Sequence, residues 1–193
     1  MEYEIKKADY NNEDFKKLCI KLDEFKNVII PERRKLGLSA LDGLYRIKYV
    51  LMIYYGNKAV ACAGLKPIDI TTAEVARVYT DDNYRGKGLA KILVERIIEY
   101  AKSKGYIKLV LDTWKDSTSA RNLYKKLGFI EIDSFDMETL KKSFSTDDEE
   151  LLRSIHEKLV FMEKNINNND TKSFPKASIN WDSTNYLNTS RKH

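Results

Sequence analysis

Residues 74–93 read EVARVYTDDNYRGKGLAKIL. A β-rich run from Glu74 to Thr80 leads into Arg85, Gly86, Lys87 and Gly88, and an apolar run opens directly after them. Glycine at the mouth of a helix has two explanations: the chain turns sharply there, or its backbone comes very close to another group. A strand that ends in such a turn and opens a helix gathers backbone N–H groups at one spot, where the helix dipole adds positive potential. That is an anion site, and Arg85 and Lys87 add side-chain charge suited to phosphate oxygens. Two phosphate loops are excluded. There is no GxxxxGK[ST] for a nucleoside triphosphate, and GKGLA lacks the third glycine and the downstream acid of a dinucleotide fold.

Downstream, residues 89–105, LAKILVERIIEYAKSKG, place Leu89, Leu93, Ile97, Tyr100 and Ala101 on one stripe, with Ala90, Val94 and Ile98 beside it, and Gly105 ends the helix. YIKLVLDTW, residues 106–114, is a nearly continuous apolar strand of the kind covered on both faces. Strand, glycine turn, helix and strand thus make one βαβ unit from Glu74 to Trp114, with its two strands parallel. A second helix follows over 116–128, with Asp116 or Ser117 as its cap, Ala120, Leu123, Tyr124 and Leu127 on its buried face, and Gly128 as its stop. FIEIDSF, residues 129–135, then alternates as a strand.

Upstream, EYEIKKA begins as a strand, and residues 12–29 carry Phe15, Leu18, Cys19, Leu22 and Phe25 at helical spacing behind a capping Asn12. Pro31 breaks that pattern. Residues 31–49 read as a short helix or helical loop with a turn around Gly43, and residues 49–68 as a β-hairpin turning at Gly56 and Asn57. Beyond the last strand, STDDEELLRSIHEKL carries Leu151, Leu152, Ile155 and Leu159 at helical spacing behind an acidic first turn, and KLVFMEKNI either finishes that helix or forms a strand. Residues 167–193 are polar and without period, a tail or arm in which Trp181 and Tyr186 suggest docking on its own domain or on a neighbour, which admits a homodimer.

The chain has 193 residues, 42% of them hydrophobic and 33% charged, enough for one ordinary globular domain with a sizeable core. No segment approaches the roughly 20 apolar residues that span a bilayer, and the N-terminus has no apolar signal core, so the expectation is a cytoplasmic protein without membrane attachment. The net charge of +5 is interleaved with acidic residues almost everywhere, which argues for a solvated surface and against a nucleic-acid partner. Cys19 and Cys62 belong to no CxxC or His-containing cluster, so buried free thiols are expected and no metal site.

RGKGLA, residues 85–90, fits Arg/Gln, any, any, Gly, any, Gly/Ala, with Arg85, Gly88 and Ala90 on the fixed positions and Gly86 on a variable one. This resembles the pyrophosphate-binding signature of GNAT-type N-acetyltransferases. SARNLYKKLGFIEI, residues 119–132, is similar to the second hallmark of that superfamily, a helix with Ala and Tyr that ends in Leu-Gly-Phe and enters a strand. The resemblance implies an α/β fold with a mixed, mostly antiparallel sheet, one parallel pair splayed at the cofactor site, and helices on both faces. It places a transferase domain over 1–166, with 138–157 inserted between the last two strands.

The resemblance further implies acetyl-CoA as cosubstrate. Amides from Arg85 through Gly86, Lys87, Gly88 and Leu89 to Ala90 would hold its pyrophosphate, while backbone groups of Val78, Tyr79 and Thr80 would meet the pantetheine arm and the thioester carbonyl. Tyr124 falls on the tyrosine that protonates the departing thiolate. Glu74 is the candidate base, set against the plain reading of a charged residue at a strand start with Arg77 near enough to neutralise it. Many relatives carry Asn where this chain has Ser117, which makes that pantetheine contact a departure from the pattern. The acceptor is an amine of a small molecule or peptide: Asp23, Glu24 and Glu32 suit an ammonium, Arg33 and Arg34 a carboxylate. A module of the same fold that binds acyl-CoA without catalysis is the alternative.

Overall fold

The computed structural model describes residues 2–29, 39, 41–144 and 147–167. β1 (Glu4–Ala8) leads into α1 (Glu13–Ile29), and Asn12 Oδ1 closes the first turn of that helix by accepting from the Phe15 N–H at 2.9 Å. Glu32, Arg33 and Arg34 lie outside the described residues, as do Trp181 and Tyr186 of the tail. The expected turn at Gly43 is present, with φ of 69°, followed by a single 3-10 turn over Leu44–Arg46. β2 (Tyr49–Tyr55) and β3 (Lys58–Pro67) form the hairpin with Tyr55 opposite Lys58, and Gly56 takes the positive φ that a two-residue turn needs at its first position.

β4 (Thr72–Thr80), α2 (Leu89–Ser103) and β5 (Lys108–Trp114) make the βαβ unit; α3 (Thr118–Lys126), β6 (Ile130–Ile132), α4 (Met137–Phe144), α5 (Glu149–His156) and β7 (Leu159–Asn165) complete the order. The seven strands form one sheet in the order β1-β2-β3-β4-β5-β7-β6. Every neighbouring pair is antiparallel except β4 with β5. KLVFMEKNI is therefore a strand, inserted between β5 and the short edge strand β6.

Both faces of the sheet are covered, and the strands show it by alternation. Tyr49, Leu51 and Ile53 of β2 join the core under α2 and α3 with Leu93, Ile97 and Phe129. Val50, Met52 and Tyr54 join the opposite core with Phe15, Leu18, Cys19 and Leu22 of α1. This double burial explains why the sequence of β2 lacks a polar face. On the α1 side, Phe135, Leu140 and Leu152 cover Val110, Trp114 and Phe161 in a third cluster under α4 and α5.

Two local expectations change. Phe25, placed on the buried stripe of α1, is 39% exposed, because its ring lies under the Arg85 guanidinium at 4.9 Å and lines a cleft. FIEIDSF pairs only over Ile130–Ile132, since Phe135 turns away from the sheet edge into the third core. Both C-terminal glycines close their helices in the same way. Tyr106 N–H bonds to Ala101 C=O and Gly105 N–H to Lys102 C=O, each at 3.1 Å; Phe129 N–H bonds to Tyr124 C=O and Gly128 N–H to Lys125 C=O, each at 3.0 Å. No helix of the described residues is long and apolar enough to cross a membrane.

Candidate active site

The parallel pairing of β4 with β5 covers Thr72↔Lys108, Ala73↔Leu109 and Glu74↔Val110, and then stops although both strands continue. A bulge in β4 accounts for the parting. Between Gly64↔Ala76 and Cys62↔Tyr79 the chain of β4 advances three residues against two in β3, and the extra residue bends the strand away from its neighbour. At the bend Arg77 has φ of 54°, the one non-glycine with positive φ among the described residues. That conformation costs about 1–2 kcal/mol for an L-residue. The Cys62 thiol donates to the Arg77 carbonyl at 3.3 Å and helps hold it.

Asp81 N–H donates to Val60 C=O at 2.8 Å, so by alternation Tyr79 also faces β3, while Val78 and Thr80 turn their backbone polar groups toward the open fork. The fork holds a cleft of about 260 Å³. Glu74 and Val78 line it from β4, Asp112 from β5, and Ser117 and Tyr124 from the N-terminus and body of α3. Tyr79, Thr80 and the glycine turn lie outside its lining, and the Tyr79 side chain packs in the α1 core.

Glu74 is 5% exposed, and its Oε2 accepts from Lys66 Nζ at 2.7 Å. The neutralising cation is thus Lys66, its cross-strand neighbour, and not Arg77. The Arg77 guanidinium reaches instead toward Asp23 of α1 at 3.8 Å and the Asp42 carbonyl at 3.4 Å. Among the acceptor-side residues named from sequence, Asp23 therefore sits beside the cleft in a cationic contact, and Glu24 is exposed.

Tyr124 is 6% exposed, packed edge-on against Phe129 with ring centroids 5.9 Å apart. Burial pushes its phenol well above the usual range, and the Asp112 carboxylate adds to the shift, so the hydroxyl carries its proton at neutral pH. Ser117 takes the N-cap position of α3, but neither it nor Asp116 supplies a side-chain cap bond. The Ser117 hydroxyl is therefore not engaged by the helix it precedes.

Asp81 organises the turn. Its carboxylate accepts from Lys21 Nζ of α1 at 2.8 Å and from the Asn83 N–H at 3.3 Å, and the Lys21 hydrogen bond holds it below the usual carboxylate range. Gly86 and Gly88 have φ of 76° and 77°, and a Cβ on either would meet nothing within 4 Å. Both glycines thus serve the turn equally, and both face open space. The first backbone bond of α2 runs from Ile92 N–H to Gly88 C=O at 3.1 Å, so the N–H groups before it have no helical partner. Arg85 differs from expectation: its guanidinium pairs with Asp82 at 2.7 Å and bonds to Thr80 C=O at 3.3 Å, which ties its charge into the protein. Lys87, over the rings of Tyr84 at 4.8 Å and Tyr55 at 5.9 Å, has no carboxylate partner among the described residues and is the cation left for an anion on the turn.

The residues present fit a long ligand with a pyrophosphate at one end and a reactive group at the other. Open amides and open space stand at the turn, and β4 connects it to the fork that Tyr124 lines. Between the two, Thr80 Oγ1 is buried without a hydrogen-bond partner among the described residues, an orphan that a ligand polar group would satisfy.

Residues 22–129 match the Acetyltransferase (GNAT) family profile. This chain belongs to that family. Human N-acetyltransferase 8B is 38% identical over 78 residues, which cover 38% of this chain and 34% of that protein. The match spans about a third of the length of the curated relatives. An acyl-CoA N-acyltransferase described from Klebsiella pneumoniae shares the fold with a TM-score of 0.64 at 21% identity, covering 85% of this chain and 97% of its own. An N-acetyltransferase from Thermoplasma acidophilum in complex with coenzyme A does so with a TM-score of 0.61 at 19% identity, covering 86% and 99%. The GNAT fold of this chain, a mixed sheet with one splayed parallel pair and helices on both faces, is thus the architecture expected from its two motifs.

Three features of the GNAT site escaped the sequence reading. Lys66 pairs with Glu74 through strand register, which the linear sequence does not display. Arg77 takes a conformation that glycine or asparagine would have announced. Asp112 had a signal, a lone acid inside the apolar run KLVLDTW, whose position in the fork gives it meaning.

Proposed function

We propose that this chain transfers an acetyl group from acetyl-CoA directly to a primary amine of a small molecule or peptide. The observation that carries the reading is the fork between β4 and β5, whose cleft is lined by the buried, protonated Tyr124 and whose strand β4 leads on into the glycine turn that opens α2. Amides from Gly86 to Ala90 hold the pyrophosphate at the positive end of α2, with Lys87 adding charge; the Arg85 N–H, expected among them, donates instead to Asp82 C=O at 3.3 Å. Backbone groups of Val78 and Thr80 guide the pantetheine arm, those of Tyr79 being turned to β3 against the expectation from sequence, and the Ser117 hydroxyl is free to contact it. An N–H of the bulged strand steadies the oxyanion as the amine attacks, a contribution of about 3–4 kcal/mol where water is excluded. Tyr124 gives its proton to the leaving thiolate. No covalent enzyme intermediate is needed.

The test is thiol release from acetyl-CoA by the full chain against amino acids, polyamines, aminoglycosides and peptides with free N-termini. At least one amine is expected to raise release above hydrolysis, with the acetylated amine recovered by mass spectrometry. Tight acetyl-CoA binding with no amine turned over would favour a non-catalytic acyl-CoA-binding module instead.

A further inference from the structure

We propose that Asp112 is the carboxylate that receives the acceptor's ammonium group and takes its first proton, an inference that rests on the transferase reading. Glu74 is the obvious acid on β4, but its oxygen already accepts from Lys66 at 2.7 Å, with both side chains more than nine-tenths buried. A proton taken there would have to break a buried ion pair. Asp112 is half-buried and lines the cleft, and its carboxylate forms no hydrogen bond or ion pair among the described residues. It is an open carboxylate on β5 in a cleft where the β4 acid is closed.

Its place in the fork supplies the geometry. Val110 is the last residue of β5 paired with β4, opposite Glu74, and Asp112 follows two residues later on the same face, where the strands have parted. That face is the α1, α4 and α5 side of the sheet, shown by Val110 and Trp114 in the third core, whereas Tyr124 belongs to the core under α2 and α3. In an intact sheet the two groups would be separated by the backbone layer. Here the fork is a window through which both line one cleft, and the Asp112 charge is felt at the Tyr124 phenol. An amine entering from the α1 side meets Asp112 first, and a thioester lying along the fork has Tyr124 on its far side.

The protons then balance. Asp112 takes one proton from the ammonium and passes it to solvent; the amine nitrogen forms the C–N bond to the thioester carbon; the C–S bond breaks. The thiolate takes the Tyr124 proton, and the second proton of the new amide nitrogen restores the phenol. The charged and titratable groups that share the cleft with Asp112 are Lys66, Glu74 and Arg77 from β3 and β4, Tyr124 from α3, and Lys26 and Asp42 near α1. From α5, His156 packs on Phe161, the cross-strand neighbour of Asp112.

The experiment is the pH profile of kcat/KM for wild type, Asp112→Asn and Asp112→Glu, using the full chain and the most active amine of the panel. Below the amine's pKa, Asp112→Asn should lose about 100-fold, and the deficit should close once the pH passes that pKa, because free amine needs no base. Asp112→Glu, which keeps a carboxylate, should recover much of the loss, and acetyl-CoA affinity should not change in either variant. A deficit independent of pH, no deficit, or a deficit repaired by high pH in Glu74→Gln instead would overturn the assignment. Wild type that turns over no amine would overturn the transferase reading with it, whereas active wild type matched by Asp112→Asn would overturn Asp112 alone.

Discussion

Tyr124 keeps its proton at neutral pH because it is buried on the wall of the fork with a carboxylate nearby, and both effects disfavour the phenolate. Its position is fixed from two sides. Its carbonyl accepts from Phe129 N–H in the cap of α3, and its ring packs on Phe129. A side chain so placed can give a proton without moving. Tyr124→Phe is therefore expected to lower kcat by about 100-fold while leaving acetyl-CoA affinity and melting temperature nearly unchanged. Steady-state kinetics beside a thermal melt would show it, and an unchanged kcat would remove Tyr124 from the chemistry.

The turn between β4 and α2 depends on Asp81 as much as on its glycines. Asp81 joins the turn to α1 through Lys21 and receives the Asn83 N–H, so it sets where the amides of the turn point. Its carboxyl lies below the ordinary range in the folded chain, so the stability it contributes is fully present above the unfolded value of about 3.9 and is lost as the pH falls through the folded value. Lys21 is 47% exposed, which limits the pair to about 1 kcal/mol. Asp81→Asn should cost about that much by urea unfolding at pH 7, with the gap from wild type closing in acid; a gap that persists in acid would mean packing, not charge, was lost.

This loop also shows how much of the site was legible in the sequence. Gly86 and Gly88 announced a positive-φ turn because few other residues tolerate it, and the stripe Leu89, Leu93 and Ile97 announced the helix it opens. The fork itself was not announced, since the residue at its bend is Arg77. Nor could the sequence show that Arg85 turns back onto Asp82, a choice made by neighbours three residues apart and by the Phe25 ring of α1.

At the scale of the whole molecule, the cores are arranged so that the fork is the place where three layers meet. α2 and α3 cover one face, α1 with α4 and α5 the other, and the sheet between them opens only where β4 and β5 part. The strand pattern made this architecture legible from the two motifs outward, while the pairings that tune the cleft, Lys66 with Glu74 and Arg77 with Asp23, arise from register and packing. A ligand held by the glycine turn, β4 and α3 together would bind the folded state alone and so stabilise it, by about 2.7 kcal/mol at 100 times its Kd. For a chain of this size that corresponds to a rise in melting temperature of roughly 5–10 °C. The most direct test of the account is a calorimetric titration of the full chain with acetyl-CoA, paired with its melting curve. One-to-one binding with that rise is the result the account predicts; no heat of binding and no shift at saturating acetyl-CoA would contradict it.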